Sequence, residues 1–265
     1  MPKISERITA MPPGGSWRLL YRMPWLVLHL VIGLPLTLLS FVPPGKDLMI
    51  RGQSVNERMR RWWAVDICRI FGLHRSVSGT FINGPILVVS NHISWLDIQL
   101  LHSVSSMGFV AKAEIERWPL AGWLARLGDT VFHHRGSHDS ASSVVAEMRR
   151  RLEEGRKVAI FAEGGVLPGF GIKRFHARLF AAAIESETPV QPVMVRYLRA
   201  GLPYPEITFR PNEPFMTNFF RLLRQPACTA ELIILPAINP QGKLRRQLAS
   251  EAQAAVAAAF ASDHV

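Results

Sequence analysis

Two short stretches of the chain pair a histidine with an aspartate five residues later. In "VVSNHISWLDIQ" they are His92 and Asp97; in "HHRGSHD" they are His134 and Asp139. Five positions on one continuous helix point well away from each other. Such a pair meets only if the histidine lies in the turn before a helix and the aspartate in its first turns. The carboxylate then fixes the imidazole in one tautomer and stabilises its protonated form, as an orienting acid does for a general base. An ordinary helix cap by Asn91 or Ser94 accounts for the first stretch equally well, and the spacing alone does not choose.

The elements that must position these residues alternate. Strand-like runs are expected at Ile86–Ser90, Gly108–Ala111, Thr130–His133, Val158–Ala162, Val190–Tyr197, Glu206–Phe209 and Glu231–Ile238. Helical patterns fall at Asn56–Leu73, Trp95–Val104, Pro119–Leu127, Ser140–Glu154, Phe175–Glu185, Phe215–Leu223 and Leu244–Phe260. This order predicts an α/β fold, a largely parallel sheet flanked by helices. In such sheets sites gather at the carboxyl ends of strands. Three strands here end in unusual chemistry: Asn91-His92, His133-His134-Arg135-Gly136, and Glu163-Gly164-Gly165.

Composition narrows the partners. The 265 residues carry 31 Lys plus Arg against 20 acids, a formal charge of +11. That excess suits an anionic partner. No basic repeat, zinc-finger spacing or RNP-like aromatic motif is present, so nucleic acid is not expected. Cys68 and Cys228 are far apart, which fits neither a disulfide framework nor a metal cluster.

Met23 to Val42 contains no charged residue in 20 positions, about the length that crosses a bilayer core. The following "FVPPGKD" lacks a small-residue cleavage site, unlike a signal peptide. Pro24, Gly33 and Pro35 allow a kinked or re-entrant helix, so the expectation is an N-terminal membrane-associated helical segment. Pro43-Pro44-Gly45 marks the boundary, giving an anchoring segment over 1–45 and a catalytic domain over 46–265. Lys46, Arg51, Arg58, Arg60 and Arg61 follow the segment, which favours a catalytic domain on the cytoplasmic side if the segment spans, at the inner membrane if the source is bacterial. Asn56–Leu73 and Phe215–Pro226 are amphipathic, suited to core packing or to a lipid interface.

Five stretches, "NHISWLD", "FVAKAEIERWPLAGWLARLGDTVFHHRGS", "FAEGG", "FHARLFAAAI" and "VQPVMVRY", together resemble the glycerolipid acyltransferase family over roughly Gly72 to Pro240. The resemblance implies that His92 and Asp97 are the catalytic dyad and that His134–Asp139 is a coincidence. It implies that Arg135 binds phosphate, that Glu163 contacts acceptor hydroxyls or organises the arginine, and that Gly164 lets backbone approach the ligand. Lys112 matches the family's lysine after a strand, and Pro192 a structural position. The family follows Glu-Gly with Thr and often a basic residue; this chain has Gly165 and Val166, with Lys173 and Arg174 as candidates to compensate. The implied reaction moves a fatty acyl group from acyl-coenzyme A or acyl carrier protein to 1-acyl-glycerol-3-phosphate, giving phosphatidic acid, with no other cofactor and no metal. Acylation of another lysolipid acceptor, such as lyso-ornithine lipid, is the same-family alternative. A lipid hydrolase or a noncatalytic lipid-binding membrane protein is the alternative from another class.

Overall fold

The computed structural model describes residues 15–45, 47–50, 52–116, 121–133, 138–166 and 171–262. Its centre is a sheet whose main strands are β1 (Leu73–Ser78), β2 (Ile86–Ser90), β3 (Gly108–Lys112), β4 (Val131–His133), β5 (Lys157–Phe161), β6 (Val190–Arg199) and β7 (Cys228–Ile234). They lie in the order β1-β7-β6-β2-β5-β3-β4. From β6 through β4 every neighbouring pair is parallel. β7 runs antiparallel to β6, and β1 joins it in parallel at the far edge. The sheet is therefore largely parallel, as the alternation of elements predicts.

β2 sits in the middle and its five residues are all buried. Ile86 and Val88 face one core and Leu87 and Val89 the other, the two-residue period of a strand covered on both faces. The helices α2 (Val55–Ile70), α3 (Leu96–His102) and α7 (Phe215–Arg224) supply the first core. The helices α5 (His138–Glu153), α6 (Ala181–Glu185) and α8 (Arg245–Ala261) supply the second. A shorter helix, α4 (Ala121–Leu127), lies between β3 and β4.

Two expectations are corrected. Glu206–Phe209 is not a strand; Pro205–Ile207 is a single 3₁₀ turn. Pro205 and Pro211 bracket the run and remove ladder donors. Leu73–Ser78 is a strand although its sequence is polar, because it is a sheet edge with five of its six residues exposed.

The N-terminal helix α1 (Trp17–Leu39) contains Pro24 and widens to a π turn over His29–Gly33. One face docks on the domain. The buried Arg22 donates from Nη1 to the carbonyls of Leu223 and Gln225 at 3.0 and 2.8 Å, at the carboxyl end of α7. A guanidinium there satisfies carbonyls that a helix end leaves open. Gly72, at φ +75°, makes room: a Cβ on it would stand 2.1 Å from Arg22 Nη2. The other face exposes Leu20, Trp25, Val31, Leu36 and Leu39. An apolar face of this size matches membrane association.

Candidate active site

The first sequence stretch folds as strand, turn and helix. β2 ends at Ser90, and Asn91 continues its ladder with a side chain. The Asn91 Nδ2 donates to the Val195 carbonyl at 2.9 Å, and its Oδ1 accepts the Val195 N–H at 2.8 Å. Asn91 does not cap α3; it ties the end of β2 to β6, and so fixes where the next residue begins.

That residue is His92. Its Nδ1 lies 2.8 Å from Asp97 Oδ2. A carboxylate oxygen accepts only, so Nδ1 carries the proton and Nε2 is left as the base. The same Oδ2 accepts the N–H groups of Ile93 at 2.7 Å and Ser94 at 3.0 Å. Oδ1 accepts the Tyr197 hydroxyl at 2.7 Å. Asp97 is fully buried, whereas the His92 side chain keeps 16% of its surface exposed. Burial, then the Asp97 charge, pushes the Tyr197 phenol well above its ordinary value, so it stays a donor. The imidazole also stacks on Phe161, the last residue of β5, with centroids 3.8 Å apart and planes 13° from parallel. It is held from one edge and one face.

Glu163 follows in the turn after β5. Its Oε2 accepts the His92 N–H at 2.9 Å and its Oε1 accepts the Lys173 N–H at 2.7 Å. Burial pushes its carboxyl above the usual range, and these two N–H groups pull it back. Glu163 thus clamps the His92 turn to the 171–175 segment. Gly164 has φ +71°, and a Cβ there would stand 3.1 Å from His176. Lys173 reaches the site through its main chain, and its side chain is exposed.

Lys112 ends β3, two strands from β2, and is exposed. At about 4.8 Å per strand it stands on the same sheet edge about 10 Å away. Arg135 and His134 lie outside the described residues, as does the Asp139 side chain; His133, just before them, pairs with Lys112 across β4 and β3.

The sequence reading misses four partners: Tyr197, Val195, Phe161 and Asn218. Tyr197 and Val195 alternate with Met194 along β6, so their shared face with Val88 was legible from the two-residue period. Phe161 was legible as the strand residue before the Glu-Gly turn. The Trp95 Nε1 donor to Asn218 Oδ1, 3.0 Å, spans 123 residues and leaves no sequence signal.

An imidazole oriented by a buried carboxylate, beside a glycine turn on the carboxyl edge of a parallel sheet, can take a proton from a hydroxyl. The acyltransferase family model matches residues 53–196, more than half of the chain. A lyso-ornithine lipid O-acyltransferase of Pseudomonas aeruginosa is 38% identical over 213 residues, covering 80% of this chain and 81% of that protein. A 1-acyl-sn-glycerol-3-phosphate acyltransferase of Neisseria gonorrhoeae is 36% identical over 112 residues, 42% of this chain and 44% of that one. The crystal structure of the 1-acyl-sn-glycerophosphate acyltransferase PlsC from Thermotoga maritima shares the fold, with TM-score 0.68 and 20% identity over 92% of this chain and 95% of that one. The chain belongs to the acyltransferase family, as an O-acyltransferase of the glycerolipid and lysolipid type.

Proposed function

We propose that the chain carries a fatty acyl group from a thioester donor, acyl-coenzyme A or acyl carrier protein, to the free hydroxyl of a lyso-ornithine lipid. The observation that carries acyl transfer is the 2.8 Å contact of His92 Nδ1 with a buried Asp97. His92 Nε2 removes the hydroxyl proton as the oxygen attacks the thioester carbonyl. The C–O bond forms, the C–S bond breaks, and the proton leaves with the thiolate. General-base help of this kind contributes about 10²–10⁴-fold. A thiolate leaves readily, so the path needs no acyl-enzyme.

The acceptor reading rests on likeness. The lyso-ornithine relative matches across 213 residues, the 1-acyl-glycerol-3-phosphate relative across 112. The Glu163-Gly164-Gly165-Val166 turn also lacks the threonine and basic residue expected at a phosphomonoester. This replaces phosphatidic acid synthesis as the leading expectation, which remains the second reading on the strength of the Neisseria relative. α1 holds the enzyme at the membrane, and the positive charge after it favours a cytoplasmic catalytic domain.

The test offers purified protein lyso-ornithine lipid and lysophosphatidic acid with each donor, and reads products by mass spectrometry. Brisk acylation of lyso-ornithine lipid is expected. Preference for lysophosphatidic acid promotes the second reading; free fatty acid without acceptor points to a hydrolase, and no product with either to a binder. Arg135→Lys serves as a control. It keeps charge but loses the planar two-point phosphate contact, so a raised KM for lysophosphatidic acid alone marks a phosphate site.

A further inference from the structure

At the pole of the sheet opposite His92, several half-buried basic and polar side chains come together, three of them with an enclosed polar atom that has no partner. α2 brings Glu57 and Arg60 three positions apart on one face, and α2 packs on α3, which ends at His102. Ser105 and Ser106 lead into β3, and Lys157 opens β5. Lys157 Nζ contacts Ser105 Oγ at 3.1 Å and lies 5.6 Å from the centre of the Phe81 ring. Arg60 Nε, His102 Nδ1 and Ser106 Oγ are buried and have no hydrogen-bond partner. Among the described residues Arg60 touches no acceptor; its guanidinium stands 5.9 Å from the Phe41 ring.

Arg60 is half-buried with its Nε enclosed and unpartnered, and burial lowers its pKa more than the neighbouring carboxylates restore it; a guanidinium so placed gains from an acceptor. The nearby carboxylates relieve it only in part. Glu57 acts on both Arg60 and Lys157 through space, but its Oε2 accepts the Ser54 N–H in the capping box of α2. Asp129 acts on Arg60 at a distance and is already paired with Arg151 and Arg156. Burial and the Arg60 charge push His102 down to about 3, so it is a neutral donor or acceptor. Beside the Glu57 carboxylate, which is engaged at the cap of α2, the cluster presents two cations and neutral hydrogen-bonding groups, an excess of donors that suits an oxyanion.

Its surroundings identify the source of the oxyanion. Phe41 directly follows the exposed apolar face of α1. Val42, Leu48, Met49 and Ile50 are exposed beside it, and Arg58 Nη1 holds the Ile50 carbonyl at 3.1 Å. Apolar side chains next to a half-buried cation suit a headgroup still attached to its acyl chains.

We propose that Arg60, Lys157, His102 and Ser106 form a binding site for the phosphate of an anionic phospholipid, separate from the catalytic dyad and independent of which lysolipid is acylated. The site makes membrane attachment selective for headgroup as well as for apolar surface.

The test titrates full-length protein, in nonionic detergent, with dihexanoyl phosphatidylglycerol below its micelle concentration, by calorimetry. One lipid per chain is expected. Arg60→Gln and Lys157→Gln should each weaken binding about tenfold or more, the loss of one charge-assisted contact. Arg246→Gln, an equal loss of charge at an exposed position on α8, should not. Equal weakening by all three variants, or no saturable binding, overturns the site. Inorganic phosphate binding as tightly as the lipid overturns the lipid assignment; equal binding of dihexanoyl phosphatidylcholine overturns selection for anionic lipid. A melting series guards against misfolding. Arg60→Met should melt at or above wild type without lipid, since it removes a half-buried charge that has no hydrogen-bond acceptor among the described residues, and should gain nothing from added lipid. A lower melting temperature instead gives Arg60 an internal structural role and defeats the proposal.

Discussion

The Tyr197 hydroxyl donates to Asp97 Oδ1 at 2.7 Å, across 100 residues of chain. With His92, Ile93 and Ser94 it completes four donors around one buried carboxylate. Tyr197→Phe should therefore leave Oδ1 without that donor and loosen the carboxylate that orients His92. Steady-state kinetics should show kcat lower by about three- to tenfold with acceptor KM unchanged. An unchanged kcat would reduce Tyr197 to packing.

Asp97 has two duties, and two substitutions separate them. Asp97→Asn keeps an oxygen for the Ile93 and Ser94 N–H groups but loses the charge. It should fold, with turnover reduced on the order of 10²–10⁴-fold. Asp97→Ala strips acceptors from buried donors and should lose about 3 kcal/mol of stability or more. Urea unfolding beside steady-state kinetics resolves the two.

Gly164→Ala places a Cβ at φ +71° and 3.1 Å from His176. The left-handed conformation costs about 1 kcal/mol. The neighbouring Glu163 clamp on His92 shifts with it, and kcat/KM should fall about tenfold. Wild-type kinetics in this variant would show the turn to be tolerant.

Acid sensitivity is expected from Glu213. Hydrogen bonding to Arg221 holds its carboxyl down, from an ordinary 4.5 to about 2. Its oxygens accept Arg221 Nε at 2.7 Å, Arg221 Nη2 at 2.8 Å and Asn218 Nδ2 at 2.8 Å. A depressed carboxylate stabilises the fold fully above its unfolded value and loses that contribution as pH falls toward about 2. Glu213→Gln should cost about 2 kcal/mol at neutral pH, and progressively less below about pH 4.5. Melts from pH 7 to pH 2 test it. The same substitution loosens Asn218, hence the Trp95 indole beside the dyad.

Membrane attachment through α1 should survive a high-salt wash, because burial of an apolar face is not screened. Release of the full chain by salt alone would leave only electrostatic binding.

Legibility followed how local each signal is. β2 was read to the residue, since a continuous apolar run bounded by turns has few alternatives. β1 was missed because an exposed edge strand has no need of apolar residues, and Glu206–Phe209 was misread because apolar alternation does not guarantee a ladder partner. At the site, the His92–Asp97 meeting was legible from strand-turn-helix logic. The roles of Asn91 and Glu163 were not, since both act on main-chain groups of distant segments: Val195 for one, His92 and Lys173 for the other. A pattern of side chains does not encode which backbone amide it will face.

The bond from Arg22 to the Leu223 carbonyl has a consequence for the order of synthesis. The two residues are 201 positions apart. At ribosomal speed that separation lasts on the order of 10–40 s. Through that interval α1 has emerged while its seat on α7 does not yet exist, and β1 likewise waits for β7. The apolar helix therefore meets the bilayer and α2, where His29 faces Asp66 and Trp63, before it meets α7, and the last third of the chain closes onto an anchor already in place.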